Sequence, residues 1–138
     1  MQKRRLQTHV GLLVLAFHFL AISLSVWLYM SGLFLFSEMT TIVALVTPLF
    51  ATYSAAILRH FVEHQYSMAS GRRVSGTYAL LSYSLPTLLG AITVGAIALK
   101  ALTGSFASFE EFKNILGIVE GCFGIYAGVL LKDLFRMS

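Results

Sequence analysis

Four long apolar runs separated by short polar segments dominate the chain. They cover residues 10–36, 41–58, 78–99 and 114–131. A helix needs about 20 apolar residues to cross the hydrocarbon core of a bilayer, and each run approaches or exceeds that length. With their polar flanks, the spans are expected at 10–36, 41–63, 77–100 and 109–135. The pattern predicts an all-α integral membrane protein, in which residues 1–138 form one transmembrane domain, a compact bundle of four transmembrane helices.

Composition excludes an ordinary soluble domain. Hydrophobic residues make up 57% of the chain and charged residues 12%, and the mean hydropathy is +0.80. Soluble domains are about 45–50% apolar and about 25% charged, so a soluble core of this length would leave much apolar surface in water. The first run also exceeds the roughly 7–15 apolar residues of a cleaved signal peptide. We expect it to be a retained signal anchor.

Basic residues are concentrated in three polar segments. Eight of the ten Lys and Arg residues precede the first run, separate the second from the third, or follow the fourth: Lys3, Arg4, Arg5, Arg59, Arg72, Arg73, Lys132 and Arg136. The positive-inside rule then predicts a multi-pass protein of the cell inner (plasma) membrane with both termini cytoplasmic. Arg59, Arg72 and Arg73 are candidates for docking lipid head groups or a partner. No basic stripe is interleaved with exposed aromatic residues, so nucleic-acid binding is not expected.

The start of the fourth helix is encoded in a capping box. Ser108 is the predicted N-cap, and Glu111 follows three positions later. The helix is therefore expected to begin near Phe109 and to run to about Phe135. Glu120 then lies near the middle of the helix rather than at an end.

Small residues form stripes on the predicted helices. In the fourth helix the spacings of four, three and four place Gly117, Gly121, Gly124 and Gly128 on one face. In the third helix a similar stripe comprises Ser84, Thr87, Ala91, Gly95 and Ala98. Small residues allow close approach of membrane helices, because lipid offers no hydrophobic drive for association. The glycine stripe is thus a predicted helix-packing interface, either inside the bundle or with another protomer or subunit.

Two ionisable residues, His18 and Glu120, are predicted inside the membrane. At about 1.5 Å per residue, both lie on the order of 12–16 Å from the cytoplasmic ends of their helices, so they are able to meet. A carboxylate in hydrocarbon is costly and should face protein or water. The pair is predicted to be either a structural polar contact or a functional site for a proton or cation.

Pro48 and Pro86 interrupt the second and third runs. A proline inside a membrane helix frees a carbonyl that a neighbouring helix, a hydroxyl or water must satisfy. Both positions are candidate hinges, and a kink that improves packing is the simpler alternative.

One short segment matches a zinc-protease pattern. His60, Glu63 and His64 have the spacing His-x-x-Glu-His, in which two histidines share a metal and the glutamate acts as base. A third ligand has no supporting motif downstream, so the match is interpreted as coincidental. We expect no metal site, no cofactor and no enzymatic activity.

The sequence favours a self-associating four-helix membrane protein that works as a pore or channel-like oligomer. Two alternatives stay open. One is a non-catalytic anchor or accessory subunit of a larger membrane complex, and the other is a small proton- or cation-coupled transporter. The expected partners are the lipid bilayer and either further copies of the chain or another membrane subunit.

Overall fold

The computed structural model describes residues 3–64, 75–104 and 106–135. Its side chains are described at residues 6, 8–55, 75–77, 79–104, 106–126 and 128–129. These ranges form four helices in chain order: α1 (Lys3–Met30), α2 (Phe36–His64), α3 (Gly76–Thr103) and α4 (Phe109–Phe135). The predicted all-helical fold is confirmed.

The helices form a bundle in which α1 and α4 occupy diagonal positions. α1 packs along α2 and α3, α4 packs along the same two helices, and α1 meets α4 only over a short stretch. Turns join α1 to α2 and α3 to α4 at one end, which we call the turn end. The opposite end, where α1 begins, is called the N-terminal end. Successive helices run in opposite directions, so α2 and α4 both start at the turn end.

The turn end contains the largest apolar core. Nine buried residues pack together there: Ala21, Leu28, Phe34, Ile42, Val46, Ala96, Ile97, Phe112 and Leu116. A middle layer contains Val14, Tyr53 and Phe123. Leu6 and Val10 pack near the N-terminal end of the bundle against Ala79, Tyr83 and Tyr126.

The outer surface of the bundle is also apolar. Large side chains such as Phe19, Trp27 and Ile125 are 59–74% exposed. Among the described residues, three helical segments are long and apolar enough to cross a membrane: Thr8–Met30, Phe36–Ala55 and Ala79–Thr103. These features support a membrane-associated protein. A membrane crossing by α4, and the orientation of the chain, remain predictions.

The first turn lies earlier than the sequence pattern predicts. The first span was expected to reach residue 36, but α1 ends at Met30 and α2 begins at Phe36. Gly32 has φ +74°, Leu33 N–H donates to Leu28 O at 3.0 Å, and Gly32 N–H donates to Tyr29 O at 3.0 Å. This is a Schellman ending, which needs a residue with positive φ. The apolar residues after Gly32 concealed the turn in the hydropathy pattern.

The start of α4 is where the sequence predicts it. Glu111 N–H donates to Ser108 Oγ at 3.1 Å, and Glu111 Oε2 accepts the Ala107 N–H at 2.9 Å. In a standard capping box this side chain accepts from the N-cap N–H, whereas here it accepts from the residue just before the N-cap. The helix begins at Phe109, so the predicted start is confirmed.

Both prolines lie within continuous helices. Pro86 is buried, whereas Pro48 faces outward. Because Pro86 has no N–H, the Ser82 carbonyl loses its helical donor. The Tyr126 hydroxyl of α4 donates to that carbonyl at 2.8 Å instead. The freed carbonyl at Pro86 is therefore satisfied by a neighbouring helix.

Gly90 sets the closest approach between α1 and α3. A Cβ atom at this position would overlap the Phe17 ring and lie 2.8 Å from Phe17 Cβ. Gly95, five residues further along α3, has open space around its own missing Cβ. Only the first glycine is needed for packing within the described part of the chain.

We expect Gly90→Ala to lower the free energy of unfolding by about 1–3 kcal/mol, because the added methyl group forces Phe17 to move. The matched control, Gly95→Ala, should stay within about 1 kcal/mol of wild type and favour stability through helix propensity. Reversible unfolding of both variants in detergent measures the difference. Phe17→Leu should restore part of the loss in Gly90→Ala, and equal stability of the two glycine variants would contradict the assignment.

Candidate functional site

Three helices bring polar side chains together in the centre of the bundle. His18 of α1, Thr93 of α3 and Glu120 of α4 are 3%, 4% and 5% exposed. His18 Nε2 lies 3.6 Å from Glu120 Oε2, and the Thr93 hydroxyl donates to Glu120 Oε1 at 3.2 Å. The structure therefore brings together the two residues that the sequence predicts to lie inside the membrane. We call them the His18–Glu120 pair.

Helical periodicity places the pair inside. His18 lies on the same face of α1 as Val14 and Ala21, both of which are buried. Glu120 follows Leu116 by four positions and precedes Phe123 by three, and these two residues are also buried. Residues three and four apart share one helix face, so the apolar neighbours that build the core carry the two polar side chains inward with them.

The hydrogen bonds determine where protons lie on the imidazole. His18 Nδ1 is 2.8 Å from the Val14 carbonyl oxygen. A carbonyl only accepts, so Nδ1 carries a hydrogen and donates it. In a neutral imidazole, Nε2 then has a lone pair and faces Glu120 Oε2, which is also an acceptor in a carboxylate. Both atoms are buried, and among the described residues neither has a hydrogen-bond partner.

Two facing acceptors repel each other unless they share a proton. That proton lies either on Glu120, giving a neutral acid beside a neutral imidazole, or on His18, giving an ion pair. The sum of charges is zero in both arrangements. The separation of 3.6 Å is longer than a hydrogen bond but within reach of one after a small side-chain rotation. One proton shared between Nε2 and Oε2 would satisfy both atoms.

Aromatic and apolar groups surround the pair. The Phe123 ring meets the His18 ring edge-on with centroids 4.8 Å apart, and the Tyr53 ring lies 5.8 Å away. Phe17 and Gly90 complete the walls of a crevice beside Thr93 and Glu120 that has no room for a water molecule. In such a site a charge that loses its partner is costly, because nothing else solvates it.

The glycine stripe flanks Glu120 along α4 but faces mostly away from the neighbouring helices. A Cβ atom added at Gly117, Gly121 or Gly128 would meet nothing within 4 Å, whereas one added at Gly124 would lie 3.5 Å from Leu49 Cδ2 of α2. Within the described part of the chain, the stripe therefore lies at the edge of α2 and faces largely outward. It is free to pack against another molecule.

For the predicted docking and metal-binding residues, no side chain is described. Arg59, His60, Glu63 and His64 belong to the last turns of α2, but their side chains lie outside the described residues. Arg72 and Arg73 lie outside the described residues altogether. Among the side chains that are described, no group of three or more His, Cys, Asp or Glu is placed to hold a metal ion.

Thr93 was not among the residues that the sequence singled out, and the stripe of small residues on α3 is not the face that the structure buries. That stripe is exposed or half-buried, whereas the buried face carries Ser82, Pro86, Gly90, Thr93 and Ile97. These residues recur at spacings of four, four, three and four, so the periodic signal was present. In an apolar helix both faces contain small residues, and periodicity alone does not tell which one turns inward.

A double-mutant cycle measures the contact between His18 and Glu120. Each single change to Ala leaves a buried polar group without its partner, so the two losses of unfolding free energy should not add. We expect a coupling of about 0.5–3 kcal/mol. The control cycle pairs Glu120→Ala with Ser25→Ala, since Ser25 is buried on α1 but donates to the Ala21 carbonyl of its own helix at 2.8 Å. Additivity in both cycles would mean that His18 and Glu120 do not interact.

The sequence matches no protein-family model, no curated protein and no solved structure. The chemistry of the His18–Glu120 pair is therefore the strongest guide to function.

Proposed function

We propose that this protein is a small proton-coupled membrane transporter in which the His18–Glu120 pair binds and releases the proton. One observation carries the proposal: Nε2 and Oε2 face each other at 3.6 Å, and both are buried without another hydrogen-bond partner. Ionisable residues inside a membrane are expensive and commonly mark ion pathways. A purely structural contact would be expected to satisfy both atoms.

The ligand that suits this pair is a proton rather than a metal cation. Magnesium prefers six oxygen ligands and calcium six to eight. The crevice offers Glu120 Oε2, His18 Nε2 and a Thr93 hydroxyl that is already engaged, and it has no room for water to complete a coordination shell. A proton needs only the two facing acceptors.

Proton gain or loss changes the charge of the pair. One bound proton makes it neutral, a second makes it cationic, and removal of both makes it anionic. Either charged state is costly in apolar surroundings. A change of protonation therefore favours a rearrangement that brings water or a counter-charge to the pair, and this is how proton binding would be coupled to movement of the helices.

The third helix is the best candidate for the moving element. Pro86 removes one helical hydrogen bond, and Gly90 lets α3 approach Phe17 closely. Both precede Thr93, which donates to Glu120. A bend at Pro86 would shift Thr93 relative to α4, so the hinge predicted there would act directly on the site.

Proton uptake into proteoliposomes that enclose a pH-sensitive dye tests the proposal. With an imposed membrane potential, Glu120→Gln and His18→Asn should reduce uptake to the level of empty liposomes, because neither variant retains two facing titratable groups. Glu110→Gln is the matched control, a titratable group at an exposed position near the turn end, and it should retain uptake. Wild-type uptake in Glu120→Gln or His18→Asn would refute the proposal.

A pore between several copies is the second candidate. The outward glycines of α4 favour it, as do the exposed Thr47 and Ala51 on α2. Small and hydroxyl-bearing outer faces allow close packing of subunits and suit the wall of a shared path. A conductance that does not saturate with ion concentration would favour the pore over the transporter.

Substitution of the glycine stripe tests self-association. Gly121→Leu places a large side chain in the middle of the stripe and should reduce the oligomer to a smaller species in detergent. Ala16→Leu, at an exposed position of α1, should leave the mass unchanged. Light scattering of the purified proteins measures both. If the wild-type protein is a monomer, or a heteromer with a stoichiometric partner, the pore loses its basis, and the heteromer would favour an accessory subunit.

A further inference from the structure

We infer that the His18–Glu120 pair exchanges its proton with water at the N-terminal end of the bundle. The nine-residue apolar core at the turn end, which we call the apolar plug, keeps water out on the other side. The inference rests on the proposed function, since it assigns the route by which that site is loaded. It follows from a difference between the two halves of the bundle, one on each side of the pair.

Tyrosines from three helices lie between the pair and the N-terminal end. Tyr53 of α2 lies against the His18 ring and meets the Phe123 ring of α4 edge-on, with centroids 6.2 Å apart. Tyr126 donates to the Ser82 carbonyl. Beside Ser82 on α3, the Tyr83 hydroxyl lies 3.1 Å from Nδ1 of the exposed His9.

This series of polar groups descends stepwise along the bundle. At about 1.5 Å per residue, Tyr126 lies roughly 9 Å from Glu120 along α4, and His9 lies roughly 14 Å from His18 along α1. A short file of water molecules entering here would find hydroxyl and carbonyl partners at each level, which buried water requires.

The N-terminal half also buries Leu6 and Val10, but these residues pack against Tyr83 and Tyr126. The half on the other side of the pair has no tyrosine in its core among the described residues. It holds the nine-residue apolar core, in which Leu28, Ile42, Val46, Ile97, Phe112 and Leu116 are at most 1% exposed. Ser25 is buried at this level, but its hydroxyl donates to the Ala21 carbonyl of its own helix. Apolar cavities stay dry even when space is present, so tight apolar packing is a strong barrier to water.

The titratable groups are also distributed unequally between the two sides of the pair. On the N-terminal side, the described groups that face the route are His9, Tyr53, Tyr83 and Tyr126, one from each helix. On the turn side, the described titratable groups are Tyr29, Glu38, Lys100, Glu110, Glu111 and Lys113, and all of them are exposed or half-buried. None belongs to the plug. A proton arriving from the turn end would have to cross nine apolar side chains without a group to hold it.

Proton delivery along this route leaves every group on it in its original protonation state. A hydronium ion at the N-terminal end gives up one proton to the water and hydroxyl chain, and each member accepts one proton and passes one on. The last member protonates the pair. The tyrosines end as neutral hydroxyls, so the net change is one proton moved from bulk water to His18 and Glu120. Tyr53 must release the Phe123 carbonyl, to which it donates at 3.3 Å, when it takes part.

Two single-cysteine variants test the asymmetry without any transport measurement. Val14→Cys and Ala21→Cys lie on the same face of α1, four residues before and three residues after His18, and the native side chains are 1% and 0% exposed. Both are made in a Cys122→Ser background, because Cys122 is exposed. The protein is held in lipid nanodiscs, where both ends meet solvent, and is treated with a small cationic methanethiosulfonate.

Val14→Cys should react about tenfold or more faster than Ala21→Cys, since thiols react as thiolates and a thiolate needs water. Equal rates, a faster reaction of Ala21→Cys, or no reaction at either position would each overturn the inference. Loss of the proposed function leaves a different signature. If Glu120→Gln still takes up protons while Val14→Cys reacts faster, the transporter assignment fails and the one-sided water access stands.

Removal of single hydroxyls provides a second measurement in the full-length protein. Tyr126→Phe and Tyr53→Phe should slow the alkylation of Val14→Cys and the initial rate of proton uptake severalfold, while the ring packing is kept. Tyr29→Phe is the matched control, because Tyr29 lies near the turn end and contacts Phe36. Unchanged rates in both Tyr126→Phe and Tyr53→Phe, or an equal loss in Tyr29→Phe, would contradict a route along these hydroxyls.

Discussion

The arrangement of this bundle depends on one requirement: a buried polar atom must have a partner where there is no water to serve as one. Val14 supplies its carbonyl to His18, and Thr93 supplies its hydroxyl to Glu120. These bonds satisfy one side of each group and leave Nε2 and Oε2 facing each other. Among the described residues neither atom has another hydrogen-bond partner, so a proton shared between them, as proposed, would connect α1, α3 and α4.

The same requirement explains why α3 is built as it is. Pro86 creates an unpaired Ser82 carbonyl, and Tyr126 of α4 satisfies it. Gly90 permits the close packing of Phe17, which helps to close the crevice beside Thr93. The proline, the glycine and the threonine therefore belong to one inner face and connect α3 to the two helices that carry the pair. This face, rather than the more obvious stripe of small residues, ties α3 to the site.

Much of the fold and part of the site could be predicted from the sequence. Four apolar runs indicated four helices, the Ser108 capping box located the start of α4, and counting residues along α1 and α4 brought His18 and Glu120 to one level. The turn at Gly32 was missed because the next four residues are apolar and extend the hydropathy signal. Thr93 was missed because α3 has hydroxyl groups on both faces: Ser84 and Thr87 are exposed, whereas Ser82 and Thr93 are buried. Hydropathy reports burial from water, whereas the site depends on which face meets protein.

The glycine stripe and the carboxylate of the His18–Glu120 pair lie on the same stretch of α4. Gly121 follows Glu120 directly on α4, so the outward glycine face and the inward carboxylate are carried by the same turn of helix. A helix that packs closely on Gly117 and Gly121 would restrict the rotation of that turn, and a rotation of α4 changes the distance between Oε2 and Nε2. Self-association and proton binding would then be coupled through α4 by simple geometry. Packing between subunits would then do more than bury an apolar face. By restricting the rotation of α4, it would also control how easily Oε2 and Nε2 separate to accept or release a proton.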